Sequence, residues 1–204
     1  IAQMTMRHGD EGQYLLVTQS LLRDGDLDLS NVTDDDIAEF HVLTIGIHET
    51  PSAPEGRIHS RHPVGLSASM LLPYEIGRRL WTNPRLVCAL AMSALTAAIL
   101  ALIFLWLRHM GIGFSAALAT AVVAATTTPL LLFSTQIYPE LPAVAITLVT
   151  LLHLPPLPSR HGPQPWPRPL WQLMAVSAGL GTLPFLHPRY APLAALLYVL
   201  TLWQ

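Results

Sequence analysis

Asp10 and Glu11 stand side by side near the start of the chain, in the stretch RHGDEGQYLLVTQSLLRDGDLDLSN. Carboxylates are candidates for general acid–base work or for holding a metal. At the start of a helix the same two acids would meet the favourable end of its dipole, a purely structural role. Asp24, Asp26 and Asp28 follow with the one-three-five spacing of a calcium loop. An EF-hand then needs Gly at the sixth position and Glu at the twelfth, and this chain has Leu29 and Asp35 there. The triple Asp therefore reads as a turn built by Asp–Gly and Ser–Asn chemistry. His59, Arg61 and His62 form a third cluster. Two histidines three apart can ligate a metal, but Pro63 follows at once and no third ligand is near in sequence, so no metal is assigned. A cationic patch able to meet phosphate fits Arg61 and His62 better, because a guanidinium fork matches phosphate oxygens. Later in the chain stand Glu140, within QIYPEL, and His187, Arg189 and Tyr190, within FLHPRYAP.

The elements that must position these groups are mostly apolar. Of 204 residues, 51% are hydrophobic and only 12% charged, about half the charged share of a soluble domain. The charges are segregated: of the thirteen acidic residues, only Glu140 lies beyond Glu75. An acid near a membrane leans functional, although a solvated Glu at a helix end is the plainer reading. The net charge of −2 gives no case for nucleic-acid binding, which would want a basic stripe. The single cysteine, Cys88, lies inside an apolar run, so neither a disulfide framework nor a cysteine metal site is available.

Residues 86–107 are free of charge and match the ~20 apolar residues that a bilayer core demands of a helix. Further spans are predicted at 114–137, with a kink at Pro129, at 141–154, at 170–186, where small residues allow close helix approach, and at 191–204. The expected fold is all-α: a polytopic transmembrane bundle in an inner or plasma membrane. Residues 1–85 form a first loop with short membrane-edge helices, and residues 86–204 form the membrane part. The chain begins at Ile1 and stops within an apolar run, which reads as a fragment at both ends. Arg108, Arg160 and Arg168 mark one set of loops, against Glu140 and Arg189 in the other. The positive-inside bias makes the first set cytoplasmic and residues 1–85 extracytoplasmic. Asp10, Glu11, Glu140, His187 and Arg189 then share the outer face. A helix over 12–22, with one broad apolar face, is expected to rest in the interface. Arg78, Arg79 and Arg85 are expected to anchor at head groups, and the proline-rich loop 155–169 to act as a stiff connector.

The order of these motifs resembles the membrane glycosyltransferases of the GT-C superfamily, in particular prokaryotic relatives of the protein mannosyltransferase and lipid A aminoarabinose transferase group. The motifs are GDE with a following Tyr helix, LLRDGDLDLSN, HSRHPVGL, QIYPELPA and LHPRYAP, from His8 to Tyr190. In that superfamily an Asp in the first outward loop is implicated in catalysis, and Asp10 is the matching position, with Glu11 beside it. HSRHPVGL is similar to the family's His–Pro–Pro segment, with Val64 in place of the second Pro; Gly12–Gln13 stands where Pro–His is common. The resemblance implies inverting transfer of a sugar from a polyprenyl-phosphate donor to a lipid, glycan or protein acceptor. Asp10 would be the base, and Glu11 or Glu140 an orienter or cation ligand, which leaves a divalent cation open. Arg189, backed by His187, Arg61 and His62, would meet the lipid phosphate. A transporter or flippase is the main alternative, with Glu140 on a polar pathway; a membrane protein that keeps the fold without the chemistry is another. Transporters carry acids or broken helices near midplane, whereas the acids here cluster outside the spans.

Overall fold

The computed structural model describes residues 10–40, 45, 47–50, 56–80, 83–154 and 169–203. The described residues are all-helical, with one isolated antiparallel bridge, Glu49 to Ser60. The helices are α1 (Glu11–Arg23), α2 (Asp34–Ala38), α3 (Val64–Ser69), α4 (Leu71–Leu80), α5 (Pro84–His109), α6 (Phe114–Thr126), α7 (Thr128–Phe133), α8 (Glu140–His153), α9 (Leu170–Leu186) and α10 (Ala191–Leu202), with a 3₁₀ turn at Pro188–Tyr190 before α10. The chain divides into two compact units. One comprises Ile1–Ser93 with Thr135–Tyr138; the other comprises Ala94–Ser134 with Pro139–Gln204.

In the first unit α1 is the central element. The sequence pattern suggests one apolar face, yet every residue from Glu11 to Ser20 is buried. The helix packs on α3 and α4, so it is enclosed rather than laid in an interface. Its polar residues are satisfied locally, as burial requires. Thr18 Oγ1 donates to the carbonyls of Tyr14 (2.7 Å) and Ser67 (3.1 Å), and Ser67 Oγ donates to Tyr14 O (2.9 Å). Leu15, Leu16, Leu29, Phe40, Leu66 and Tyr74 complete the core around it. Burying an aliphatic or aromatic side chain of this size contributes about 1.5–3 kcal/mol.

Glycine is demanded at two close approaches. A Cβ on Gly12 would lie 2.9 Å from Ile45 Cγ2, and one on Gly77 would lie 2.6 Å from the backbone Cα of Pro84. Gly77 thus lets the end of α4 pass against the start of α5, and Gly12 lets the segment leading to His48 press on α1. Arg23 closes the other end of α1 by pairing with Asp36 and, at 2.9 Å, with Glu39. Glu39 Oε2 also accepts from Gln19 and from the hydroxyl of Tyr74, each at 2.8 Å. Thr33 and Asp36 form a reciprocal capping box on α2.

The triple Asp is a turn. Asp26 Oδ1 accepts from Ser20 Oγ and from the Asp28 N–H, both at 3.0 Å. Asp24 accepts from the Asn31 amide, and Asp28 Oδ1 accepts from the N–H groups of Ser30 (3.0 Å) and Ile58 (3.1 Å). Gly25 takes the left-handed conformation the turn requires.

In the second unit α9 packs on both α8 and α10. Many large apolar side chains face outward, among them Leu118, Val122, Leu131, Trp171, Phe185 and Leu202. Among the described residues one helix, α5, is long and apolar enough to cross a membrane. Its 26 residues extend about 39 Å, beyond the ~30 Å of a hydrocarbon core. The helices α6, α8 and α9 are apolar but shorter.

The span expected at 114–137 is two helices. Thr127 is extended, ending α6, and Pro129 sits in the first turn of α7. Proline lacks the N–H that would continue the ladder and its ring clashes with the carbonyl four residues back, so the chain breaks and restarts instead of bending. Residues 155–168 of the proline-rich loop, with Arg160 and Arg168, lie outside the described residues.

Candidate functional site

Adjacent in sequence, Asp10 and Glu11 have opposite surroundings. Glu11 opens α1 and is 4% exposed; its carboxylate meets Arg85, Nε to Oε1 at 2.8 Å, and Arg85 is equally buried. Burial pushes the Glu11 carboxyl above the ordinary glutamate range, and the Arg85 guanidinium pulls it part of the way back. The pair joins residues 74 positions apart and ties the start of α1 to the start of α5. Arg85 is therefore not a head-group anchor. Arg78 and Arg79 are exposed and share Glu75, whose carboxyl their hydrogen bonds hold down at about 2.

Asp10 is the N-cap residue of α1 but makes no side-chain cap bond. Its Oδ1 lies 3.6 Å from His48 Nδ1 and 3.5 Å from His62 Nε2, and these two nitrogens are 3.2 Å apart. Asp10 and His48 are about two-fifths exposed, whereas the His62 side chain is 10% exposed. The trio is open to solvent on one side and anchored on the other.

The anchoring comes from the first turn of α1. Gln13 Oε1 accepts the backbone N–H of His48 at 3.0 Å. The ring of Tyr14 meets the His62 ring edge-on, with centroids 5.3 Å apart. Positions 10, 13 and 14 share one helix face, so α1 carries the carboxylate and sets both histidines. A short antiparallel pairing brings the histidines together: Thr50 N–H donates to His59 O (2.8 Å), and Arg61 N–H to His48 O (2.9 Å). The sequence spacing pairs His62 with His59; the structure pairs it with His48 instead. No local pattern announced His48, because its partners are 38 and 14 positions away. Arg61 is exposed and contributes its backbone to this pairing.

In the second unit Glu140 opens α8 and forms an ion pair with Arg189. Arg189 also donates to the Tyr190 hydroxyl at 2.9 Å, and its guanidinium lies 5.0 Å from the centre of the Tyr190 ring. His187 Nδ1 accepts the Arg189 backbone N–H at 3.2 Å, capping the 3₁₀ turn. Half of the Arg189 side chain stays exposed. Beside this group lies a cavity of ≈ 290 Å³, lined by Glu140, Val144, Leu148, Tyr190 and Leu193 among others. Glu140 Oε2 is buried without a hydrogen-bond partner among the described residues. The five residues expected on one outer face thus fall into two sets, one in each unit: Asp10 and Glu11, and Glu140, His187 and Arg189.

A half-exposed carboxylate beside two imidazoles can accept a proton, hold an acceptor hydroxyl or ligate a cation. The cluster around Arg189 can meet an anion from its exposed edge. Compared with protein-family models, curated proteins and solved structures, the chain matches none.

Proposed function

We propose that the chain is part of a membrane glycosyltransferase of the GT-C kind, transferring a sugar from a polyprenyl-phosphate donor to a hydroxyl acceptor at the extracytoplasmic face. The observation that carries the reading is the division of labour between adjacent acids. Glu11 is spent on a buried ion pair, and Asp10 stands clear of its own helix cap in an open, histidine-flanked position. Only Asp10 of the two can reach a substrate.

In the reaction the acceptor oxygen attacks the anomeric carbon from the face opposite the phosphate. The carbon–oxygen bond to the phosphate breaks with its electron pair, and the lipid phosphate leaves. Asp10 takes the acceptor proton, work that typically contributes 10²–10⁴-fold in rate. The leaving phosphate gathers negative charge and needs a cation or donors. Within the second unit, taken by itself, half-exposed Arg189 beside Tyr190 and the neighbouring apolar cavity suit a phosphate head and an isoprenoid chain. Multi-pass insertion belongs to the same proposal: α5 is of spanning length, and the outward apolar side chains of α6 to α10 suit lipid better than water.

The test is direct. The full natural polypeptide is reconstituted in vesicles and given radiolabelled polyprenyl-phosphate sugars. The expected result is label passed to an acceptor with release of polyprenyl phosphate. Absence of transfer from every polyprenyl-linked sugar overturns the reading.

A further inference from the structure

The three facing atoms of Asp10, His48 and His62 form a nearly regular triangle with sides of 3.6, 3.5 and 3.2 Å. The point equidistant from all three lies about 2.0 Å from each, and Zn–N and Zn–O bonds run ~2.0–2.2 Å. A cation of that size sits just above the plane at bonding distance from all three atoms. From this geometry we infer that Asp10, His48 and His62 form a three-ligand site for a divalent transition metal of the zinc class.

The donor chemistry agrees with the spacing. Two neutral imidazole nitrogens and one carboxylate oxygen are the set used by open catalytic zinc centres and by two-histidine-one-carboxylate iron sites. Hard cations such as calcium or magnesium prefer a shell of oxygens, and this trio offers one carboxylate. Gln13 fixes the backbone of His48, and Tyr14 packs edge-on against the His62 ring, which restricts where both rings sit. Because three protein ligands occupy one face and Asp10 and His48 are open to solvent, at least one coordination position is left for an oxygen donor, a hydroxyl or a phosphate. The inference goes beyond the transfer reading and does not need it, since the ion can be detected without turnover; ligation runs through Asp10 Oδ1, the atom that faces both histidines, and leaves Oδ2 for the acceptor proton.

The full natural polypeptide, purified in detergent and stripped with a chelator, is titrated with Co²⁺ and then Zn²⁺. The expected result is the intense visible absorption of four- or five-coordinate cobalt, saturating at one ion per chain and displaced by zinc. His48→Ala and His62→Ala should each weaken binding at least about 100-fold, more than the 10–100-fold typical of losing a mere outer partner. His59→Ala should leave it unchanged, since His59 lends the pairing only its backbone. Far-ultraviolet circular dichroism of each variant, matched to wild type, assigns the loss to the ligand. No saturable cobalt absorption in the wild type overturns the site, as does binding that survives His48→Ala in a folded chain.

Discussion

At the residue scale, Glu11 meets Arg85 in a buried ion pair, while its neighbour Asp10 faces His48 and His62 at a half-exposed edge. Paired acids at a helix start are visible in the sequence, but their separate fates depend on Arg85, 74 residues away, and on the two histidines. No local pattern carries such partners. The sequence did support setting aside the triple Asp as a turn, because its failed calcium positions are local features. Two predictions belong here. Glu11→Gln removes the carboxylate charge that faces the buried Arg85 guanidinium, and breaking such a pair by one partner costs about 3–5 kcal/mol; denaturant unfolding should register the loss. Asp28 is held below the ordinary aspartate range by the N–H groups of Ser30 and Ile58. A depressed carboxyl contributes stability above its ordinary pKa and loses it as pH falls through the folded value. Acid unfolding of Asp28→Asn should therefore show a shallower loss below about pH 4 than wild type.

At the element scale, the helical runs after residue 83 were legible because long apolar stretches leave few alternatives. The expected range 170–186 coincides with α9, and 86–107 and 141–154 lie within one or two residues of the bounds of α5 and α8. The break at Thr127 shows what a kink prediction misses: a proline can end one helix and begin the next. The burial of α1 on all sides escaped the pattern because its polar residues, Gln13, Thr18, Gln19 and Ser20, are buried by partners from α3 and the loops. Gly77 gives the sharpest test of packing. A methyl there meets the Pro84 backbone at 2.6 Å, which cannot swing aside as a side-chain tip would. Gly77→Ala should destabilise the first unit by about 1–3 kcal/mol, whereas Thr33→Ala, which removes a cap from an exposed helix, should cost about 1 kcal/mol. Denaturant midpoints of the two variants order them.

At the scale of the whole molecule, the proposal joins an apolar second unit to a polar loop region whose acids do different work. The proposed membrane orientation carries its own prediction. In sealed vesicles of known orientation, Ser30→Cys should react with an impermeant thiol reagent from the extracytoplasmic side and Met110→Cys only from the other, because α5 lies between them. The central claim is that Asp10 does chemistry while Glu11 holds the fold, and one paired measurement tests it most directly. Sugar transfer and thermal stability are measured together for wild type, Asp10→Asn and Glu11→Gln. The account predicts that Asp10→Asn keeps the wild-type melting temperature while transfer falls at least about 100-fold, and that Glu11→Gln lowers the melting temperature. Transfer that survives Asp10→Asn unchanged would contradict it.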